Sequence, residues 1–274
     1  MPSRAKEDAR DTTGEDLFVE AHGHGPALLL LHGFGGSARN FRPQARALRG
    51  RWRVLLPDVR GHARSPRAEG PGACTAERLV ADVVRVLDRE GAARAVVGGL
   101  SMGAALALEV ALAHPDRVQA LVLASFPAAG PGGLTPIATR FADVLERDGL
   151  EAAGAEFVWG AKSGFDRSAA AFVRQGFLEH DARSLAAVLR DFLARLPSLD
   201  ARAPQLAALA APALVIAGEA DAISLAPSRA LAALLPRAEL AVIPGAGHVV
   251  NLSAPAAFNA VVSTFLDSLP RDAD

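Results

Sequence analysis

The sequence predicts an α/β protein in which helices cover both faces of a mostly parallel sheet. Six short apolar runs are separated by helical patterns, and none of the runs alternates polar with apolar residues. Such runs are typical of strands buried on both faces, as in a parallel sheet between two helical layers. The strand–helix–strand alternation favours right-handed connections. One long interval without a strand-like run predicts a helical insertion in this architecture.

The predicted strands follow one another along most of the chain. They are "ALLLL" (27–31), "RVLLP" (53–57), "AVVGGL" (95–100), "ALVLAS" (120–125), "ALVIAG" (213–218) and "LAVIP" (240–244). A seventh run, "LFVEA" (17–21), has one polar face and is predicted to be an edge strand. Helical patterns lie at about 41–49, 75–90, 102–114, 228–235 and 254–269.

The predicted insertion occupies residues 128–200. Turn residues open it at "PAAGPGG" and close it at "LPSLDARAP", with helical stretches between them. Because it follows a strand end directly, we expect a cap over the carboxyl ends of the strands, where open α/β sheets bind ligands. A plain surface appendage is the alternative. Residues 16–127 and 201–274 would then form the core domain.

Composition limits the classes of partner. Half of the 274 residues are hydrophobic and the formal net charge is −1, which argues against nucleic acid or an anionic membrane as the partner. We expect a small-molecule substrate, and we leave a homodimer open. The single cysteine excludes an internal disulfide and a thiolate metal site.

The amino-terminal segment predicts no targeting signal. Residues 1–15 are charged and lack the apolar centre of a signal peptide, so we expect a disordered tail there. No apolar run approaches the ~18 residues that span a membrane. These observations predict a soluble, cytoplasmic protein.

Ser101 is the candidate nucleophile. In "VVGGLSMGAAL" (96–106) it stands between a buried strand and an apolar helix, with Gly99 and Gly103 two positions away on either side. A strand-to-helix turn this sharp strains the serine backbone and needs small residues at those positions. It presents the hydroxyl at the carboxyl edge of the sheet, at a helix N-terminus that favours negative charge. A tight turn without chemistry is the alternative for the motif alone.

His248 and Asp221 are the candidate partners of Ser101. A serine needs a base, usually histidine, and the base needs a carboxylate that orients it. Of the seven histidines, His248 lies in the loop after the last predicted strand, and Asp221 follows the preceding strand. Glu219 is a nearby alternative to Asp221, but it lies closer to the strand. The order Ser101, Asp221, His248 is typical of nucleophile-elbow enzymes.

Two backbone N–H groups are predicted to hold an oxyanion. One belongs to Met102, directly after the serine, and the other to Phe34 in the loop "HGFGG". Phe126, Trp159 and Val249 are candidates for an apolar substrate pocket, with core packing as the alternative for each. Asp58, Arg60 and His62 in "DVRGHARS", like His32, are interpreted as residues that brace turns.

The chain resembles the α/β-hydrolase superfamily over about residues 17–269. The matching segments are "LLLLHGFGG", "LLPDVRGHARS", "VVGGLSMG", "HPDRVQALVLAS", "VIAGEADAIS" and "IPGAGHVVNLSAP". The resemblance implies an eight-stranded, mostly parallel sheet with a helical cap. The last part of the chain is similar to the 3-oxoadipate enol-lactonase and small carboxylesterase branch. Two segments depart from the pattern of that branch: "NLSAP" lacks the acidic residue often seen before its proline, and "SMGAAL" replaces the more usual "SMGG".

The expected activity is hydrolysis of an ester or lactone of a small, largely apolar substrate, without a metal or organic cofactor. Carbon–carbon bond hydrolases and cofactor-free perhydrolases (haloperoxidases) use the same triad, so they remain alternatives, as does a ligand receptor without catalysis. Haloalkane dehalogenases and epoxide hydrolases carry aspartate where Ser101 stands, and the latter also need cap tyrosines. Serine stands at that position here, which disfavours both classes, and the absence of tyrosine further disfavours epoxide hydrolases.

Overall fold

One sheet organises the molecule. The computed structural model describes residues 16–127, 134–160 and 169–270. These residues contain seven strands in the order β1-β3-β2-β4-β5-β6-β7, in which β1 pairs antiparallel with β3 and every other pair is parallel. The strands are β1 (Val19–His22), β2 (Ala27–Leu31), β3 (Arg53–Pro57), β4 (Ala95–Leu100), β5 (Val118–Ala124), β6 (Ala213–Gly218) and β7 (Ala238–Ile243).

This architecture confirms the mostly parallel α/β sheet and the edge position of "LFVEA". The resemblance implied eight strands, whereas the described residues contain seven. The tail predicted at 1–15 lies outside the described residues.

Alternate residues of the central strands pack into two cores on opposite faces of the sheet. Leu29 and Leu31 of β2 belong to one core, whereas Leu28 and Leu30 belong to the other. All five residues of β2 are buried. Helices α2 (Ala76–Arg89) and α3 (Met102–Ala113) supply side chains to the first core, and α1 (Arg42–Leu48) and α10 (Pro255–Ser268) to the second. The prediction of helices on both faces is therefore confirmed.

The last predicted strand differs from the expectation. The run "LAVIP" was expected to be buried on both faces, but that prediction is wrong for β7, where Leu240 is 40% exposed and Ala241 and Val242 are only half-buried. The physical reason is its place in the sheet, since among the described strands β7 has a neighbour only on the β6 side.

Helices lie between β5 and β6. The first three that the structure describes are α4 (Thr135–Phe157), α5 (Ala170–Leu178) and α6 (Ala182–Asp191), and α4 is kinked at Gly149, whose φ of 81° lies in the left-handed region. The described residues between β5 and α7 (Ala203–Ala207) contain no strand. Helices α8 (Leu225–Leu234) and α9 (Val250–Ser253) follow β6 and β7. None of the described helices combines the length and the apolar character that a membrane span requires.

The parallel strands align their carboxyl ends at one edge of the sheet. Ser101 follows β4 directly, Ser125 follows β5, Asp221 lies three residues after β6, and His248 lies in the loop after β7. The topology therefore places all three predicted triad residues at the same edge.

Candidate active site

Ser101 marks the point where β4 turns into α3. Its backbone N–H donates to the Ala124 carbonyl of β5 at 2.8 Å, as a strand residue would, whereas its carbonyl already accepts the N–H of Ala105 at 3.0 Å, as a helix residue would. One residue makes the whole change of direction, with φ 53° and ψ −113°. A non-glycine residue at positive φ costs roughly 1–3 kcal/mol, and such strain clusters at functional sites. The Ser101 side chain remains partly exposed, while Leu100 and Met102 are buried.

Gly99 and Gly103 make this turn sterically feasible. A Cβ atom on Gly99 would overlap the backbone of Gly103, and a Cβ atom on Gly103 would overlap the carbonyl of Leu31. Both positions therefore exclude any side chain, as the motif predicts.

His248 is hydrogen-bonded to Asp221. The His248 Nδ1–H donates to Asp221 Oδ2 at 3.0 Å, and both residues are buried. With the proton on Nδ1, the other ring nitrogen, Nε2, carries the lone pair that a general base needs. Glu219, the alternative carboxylate, is exposed, and its Oε2 instead accepts the Gly245 N–H at 3.0 Å.

Asp221 is held as a carboxylate. Its Oδ1 accepts the backbone N–H groups of Ile223 at 3.1 Å and Ser224 at 3.0 Å. Burial raises the pKa of Asp221, but the hydrogen bonds from His248, Ser224 and Ile223 outweigh it and hold that pKa below its usual range. An ionised carboxylate beside Nδ1 stabilises the imidazolium that forms when a base accepts a proton.

Two serines that sequence reasoning missed also contact His248. Ser224 Oγ lies 3.1 Å from His248 Nδ1, and Ser125 Oγ donates to the His248 carbonyl at 2.7 Å. Ser125 also has a positive φ of 47°. Ser224 has a weak sequence signal, because it stands three residues after Asp221 at the start of a helix, whereas Ser125 has none.

The loop after β2 lies beside Ser101. Gly33, Phe34, Gly35 and Gly36 line the same cavity as Ser101 and His248. Gly35 has a φ of +68°, and a Cβ atom there would overlap the Phe177 ring. Among the described residues, no acceptor takes a hydrogen bond from the N–H of Phe34 or of Met102, the two predicted oxyanion donors.

Buried histidines brace this loop. His32 Nδ1 donates to the Gly33 carbonyl at 2.8 Å, and its Nε2 accepts the Val59 N–H at 2.9 Å. His62 Nε2 accepts the Gly35 N–H at 3.1 Å, and Asp58 Oδ1 accepts the Ala38 N–H at 2.7 Å.

Burial lowers the pKa of His32 to about 4 and that of His62 well below its usual value, so both rings are neutral at pH 7.

The cavity that Ser101 and His248 line is apolar. Its described lining contains three polar side chains, those of Asn40, Ser101 and His248, and no charged side chain. The apolar part comes largely from the helices between β5 and β6, and includes Leu134, Phe141, Phe157, Val158, Leu189 and Leu193. Sequence reasoning missed these residues, because an amphipathic helix pattern does not distinguish a cavity wall from a core contact.

Of the three residues predicted for the pocket, Val249 lines this cavity and the other two lie away from its described lining. Phe126 is 6% exposed in the core, and its backbone N–H donates to Ser228 Oγ at 3.1 Å. Trp159 packs edge-on against Phe177 with ring centroids 5.6 Å apart, and the Arg174 guanidinium lies 5.5 Å from the Trp159 ring. Phe126 and Trp159 therefore make packing contacts with protein, which was the alternative for both, and their contact with substrate stays a prediction.

Several curated proteins are similar to this chain. A putative carbamate hydrolase from Caulobacter sp. (strain K31) is 35% identical over 93% of the chain and 97% of its own length. A putative carbamate hydrolase from Azorhizobium caulinodans is 43% identical over a shorter segment, which makes up 39% of this chain and 40% of that relative. Polyketide synthase ThaQ from Burkholderia thailandensis is 35% identical over 92% of the chain, which spans only 12% of that much longer protein.

Solved structures match the whole fold. A thermophilic esterase from Thermogutta terrifontis superposes with a TM-score of 0.84 and 28% identity, covering 98% of this chain and 99% of the esterase. The enol-lactonase from Burkholderia xenovorans LB400 superposes with a TM-score of 0.81 and 27% identity, covering 92% and 96% of the two chains.

The sequence profile of one family, described as the alpha/beta hydrolase family, matches residues 28–261. With this match over most of its length, the chain belongs to the alpha/beta hydrolase family.

Proposed function

We propose that this hydrolase cleaves an ester or lactone of a small, largely apolar substrate through an acyl-enzyme formed on Ser101. The observation that carries the proposal is the hydrogen bond from His248 Nδ1 to Asp221, in a histidine that lines one cavity together with Ser101. In this proposal the residues around 128–200 form a cap that supplies the apolar wall of the binding site.

The first half of the reaction transfers the acyl group to the serine. His248 Nε2 accepts the Ser101 hydroxyl proton as Oγ attacks the substrate carbonyl, and Asp221 stabilises the imidazolium that results. The N–H groups of Phe34 and Met102 donate to the developing oxyanion, a kind of interaction whose loss typically costs a factor of about 10²–10³ in kcat. The imidazolium then gives its proton to the departing alkoxide, and the alcohol leaves.

The second half releases the acid. His248 accepts a proton from a water molecule that attacks the acyl-enzyme carbonyl, and the same two N–H groups hold the second oxyanion. Collapse of this intermediate breaks the bond to Ser101 Oγ, which recovers its proton from His248. The apolar lining favours an uncharged acyl group, since an unpaired carboxylate would lose its hydration there.

Carbamate hydrolysis is the second candidate. The relative from Caulobacter sp. named for that activity is 35% identical over 93% of the chain, and a carbamate carbonyl can be attacked by the same serine. Carbon–carbon bond hydrolysis and cofactor-free perhydrolysis use the same triad and are distinguished by their products.

The experiment combines an active-site fluorophosphonate with p-nitrophenyl acetate, a lactone and a carbamate as substrates. We expect covalent labelling at Ser101, and hydrolysis that falls by up to ~10⁶-fold in Ser101→Ala. Ser268→Ala, which lies outside the cavity lining, serves as the matched control and should keep both properties.

Absence of labelling and of turnover would favour a ligand receptor. Peracid formation from acetate and peroxide with esters untouched would favour perhydrolysis, and turnover of the carbamate alone would favour the second candidate.

A further inference from the structure

Exposed apolar side chains line part of the cavity, where it meets solvent. Five large hydrophobic residues are exposed among those described, and three of them line this cavity: Ile137 (57% exposed), Phe172 (45%) and Ile223 (41%). They come from three separate segments, namely α4, α5 and the loop that carries Asp221. We call these three residues the rim. Exposed apolar side chains gathered at a binding site mark a surface that a ligand or partner covers.

The rim is continuous with the interior of the cavity. Behind it, Phe141 is 8% exposed, Leu189 2% and Leu193 7%, and all three line the same space as Ser101. An apolar surface therefore extends from the serine to the outside, and the described lining offers no charged group along it. A substrate that fills only the region next to Ser101 would leave the rim in contact with water.

We propose that the rim binds the distal methylene groups of an unbranched acyl chain whose carbonyl carbon is at Ser101. This inference rests on the proposed function and names its substrate class, an uncharged ester or lactone with an acyl chain long enough to reach the mouth. Continuity of the rim with the cavity selects this occupant, since one linear apolar chain covers both surfaces at once.

The charges beside the rim do not favour an anionic membrane. Arg140 on α4 is paired with Glu156 at 2.5 Å, and Arg174 on α5 is paired with Glu151 at 2.5 Å. Anionic lipid headgroups bind clusters of unpaired lysine and arginine. Each of these two arginines is already matched by a carboxylate.

The test is the chain-length profile of p-nitrophenyl acetate, butyrate, octanoate and dodecanoate in the full-length protein. Burial of one methylene group raises kcat/KM by up to about four-fold, so the wild type should prefer octanoate to acetate. In Phe172→Ser and Ile137→Ser the ratio of kcat/KM for octanoate to that for acetate should fall about ten-fold, which corresponds to two or three partly covered methylene groups.

Leu178→Ser is the matched control. Leu178 ends the same helix as Phe172 and has a similar exposure of 38%, but it lies outside the described lining of the cavity. We expect its octanoate-to-acetate ratio to equal that of the wild type. A thermal melt of each variant separates a loss of folding from a loss of the ratio.

Three outcomes would overturn the inference. An equal ratio in wild type and rim variants removes the role of the rim but leaves the proposed function intact. A wild type that hydrolyses neither these esters nor a lactone removes the proposed function, and the rim inference with it. Sedimentation of the wild type with phosphatidylcholine vesicles, lost in Phe172→Ser while the chain-length profile stays the same, would assign the rim to a membrane surface instead.

Discussion

The His248 imidazole donates to the Asp221 carboxylate at 3.0 Å, although the two residues lie 27 positions apart in the chain. Strands β6 and β7 are parallel neighbours, so the loops that follow them leave the sheet side by side. The backbone N–H groups of Ile223 and Ser224 hold the other carboxylate oxygen. The orientation of Asp221 is therefore set by its own loop, and His248 meets a carboxylate already in place.

Asp221→Asn should lower kcat for p-nitrophenyl acetate by about 10⁴-fold. The asparagine amide can present an N–H group to His248 Nδ1, which favours the tautomer with the proton on Nε2 and removes the base from Ser101. Steady-state kinetics give the loss, and circular dichroism checks that the variant is folded.

Glu219→Gln is the control for Asp221→Asn. Glu219 is exposed and accepts only the Gly245 N–H among the described contacts, so kcat should stay within about two-fold of the wild type, as for ordinary surface changes. A severe loss in Glu219→Gln together with a mild one in Asp221→Asn would contradict the assignment of the carboxylate.

Ser224→Ala should lower kcat by about two- to ten-fold. The change removes the hydroxyl that lies 3.1 Å from His248 Nδ1, and one neutral hydrogen bond contributes about 0.5–1.5 kcal/mol. The Ser224 backbone N–H still donates to Asp221, so the carboxylate keeps its orientation. Ser224→Thr, which retains a hydroxyl, should recover part of the rate. A loss as large as that of Asp221→Asn would mean that Ser224, rather than Asp221, orients the ring.

Much of the fold could be predicted because buried parallel strands leave a direct signal. The run 27–31 is uninterrupted by polar residues, and β2 is buried at all five positions. The same signal misled at "LAVIP", since apolar composition does not reveal which strand ends the sheet. Position in a sheet is a property of the whole topology, and a single run of residues carries little information about it.

The positions of Ser101, Asp221 and His248 could be predicted because each follows a strand, and parallel strands bring their carboxyl ends together. The surroundings could not be predicted from the same rule. Ser125 reaches the His248 carbonyl through an unusual positive φ, and Trp159 turns towards Phe177 rather than the cavity. Both outcomes depend on side-chain packing between segments distant in sequence, for which hydrophobic periodicity has no signal.

Gly103→Ala should destabilise the protein by at least about 3 kcal/mol, the upper range for overpacking, because the added methyl group would overlap the Leu31 carbonyl. A backbone atom in a central strand cannot move aside as a flexible side chain can. Guanidinium denaturation measures the loss. Gly50→Ala is the matched control, because a Cβ atom at Gly50 has no neighbour within 4 Å, and it should unfold close to the wild-type midpoint. Equal stability of the two variants would show that the turn at Ser101 tolerates a side chain.

The free energy of unfolding should fall as the pH is lowered from 6.5 to about 4, in part because of His32. Burial lowers the folded-state pKa of His32 from 6.5 to about 4, so between these values the unfolded chain binds a proton that the folded chain does not. The stabilisation that the neutral His32 ring contributes is therefore fully present above pH 6.5. It decreases by about 3 kcal/mol as the pH falls through the folded-state pKa. His62, whose pKa is also lowered by burial, adds a contribution of the same sign.

His32→Gln isolates the contribution of His32. Glutamine does not titrate, and its amide oxygen can accept the Val59 N–H that His32 Nε2 accepts in the wild type. The variant should be less stable at pH 7, because an amide that reaches Val59 places no donor at the position of His32 Nδ1, and the Gly33 carbonyl then loses its hydrogen bond. Its free energy of unfolding should depend less steeply on pH between 4 and 6.5 than that of the wild type. Parallel denaturant titrations at several pH values measure both slopes, and identical slopes would show that His32 is not protonated preferentially in the unfolded chain.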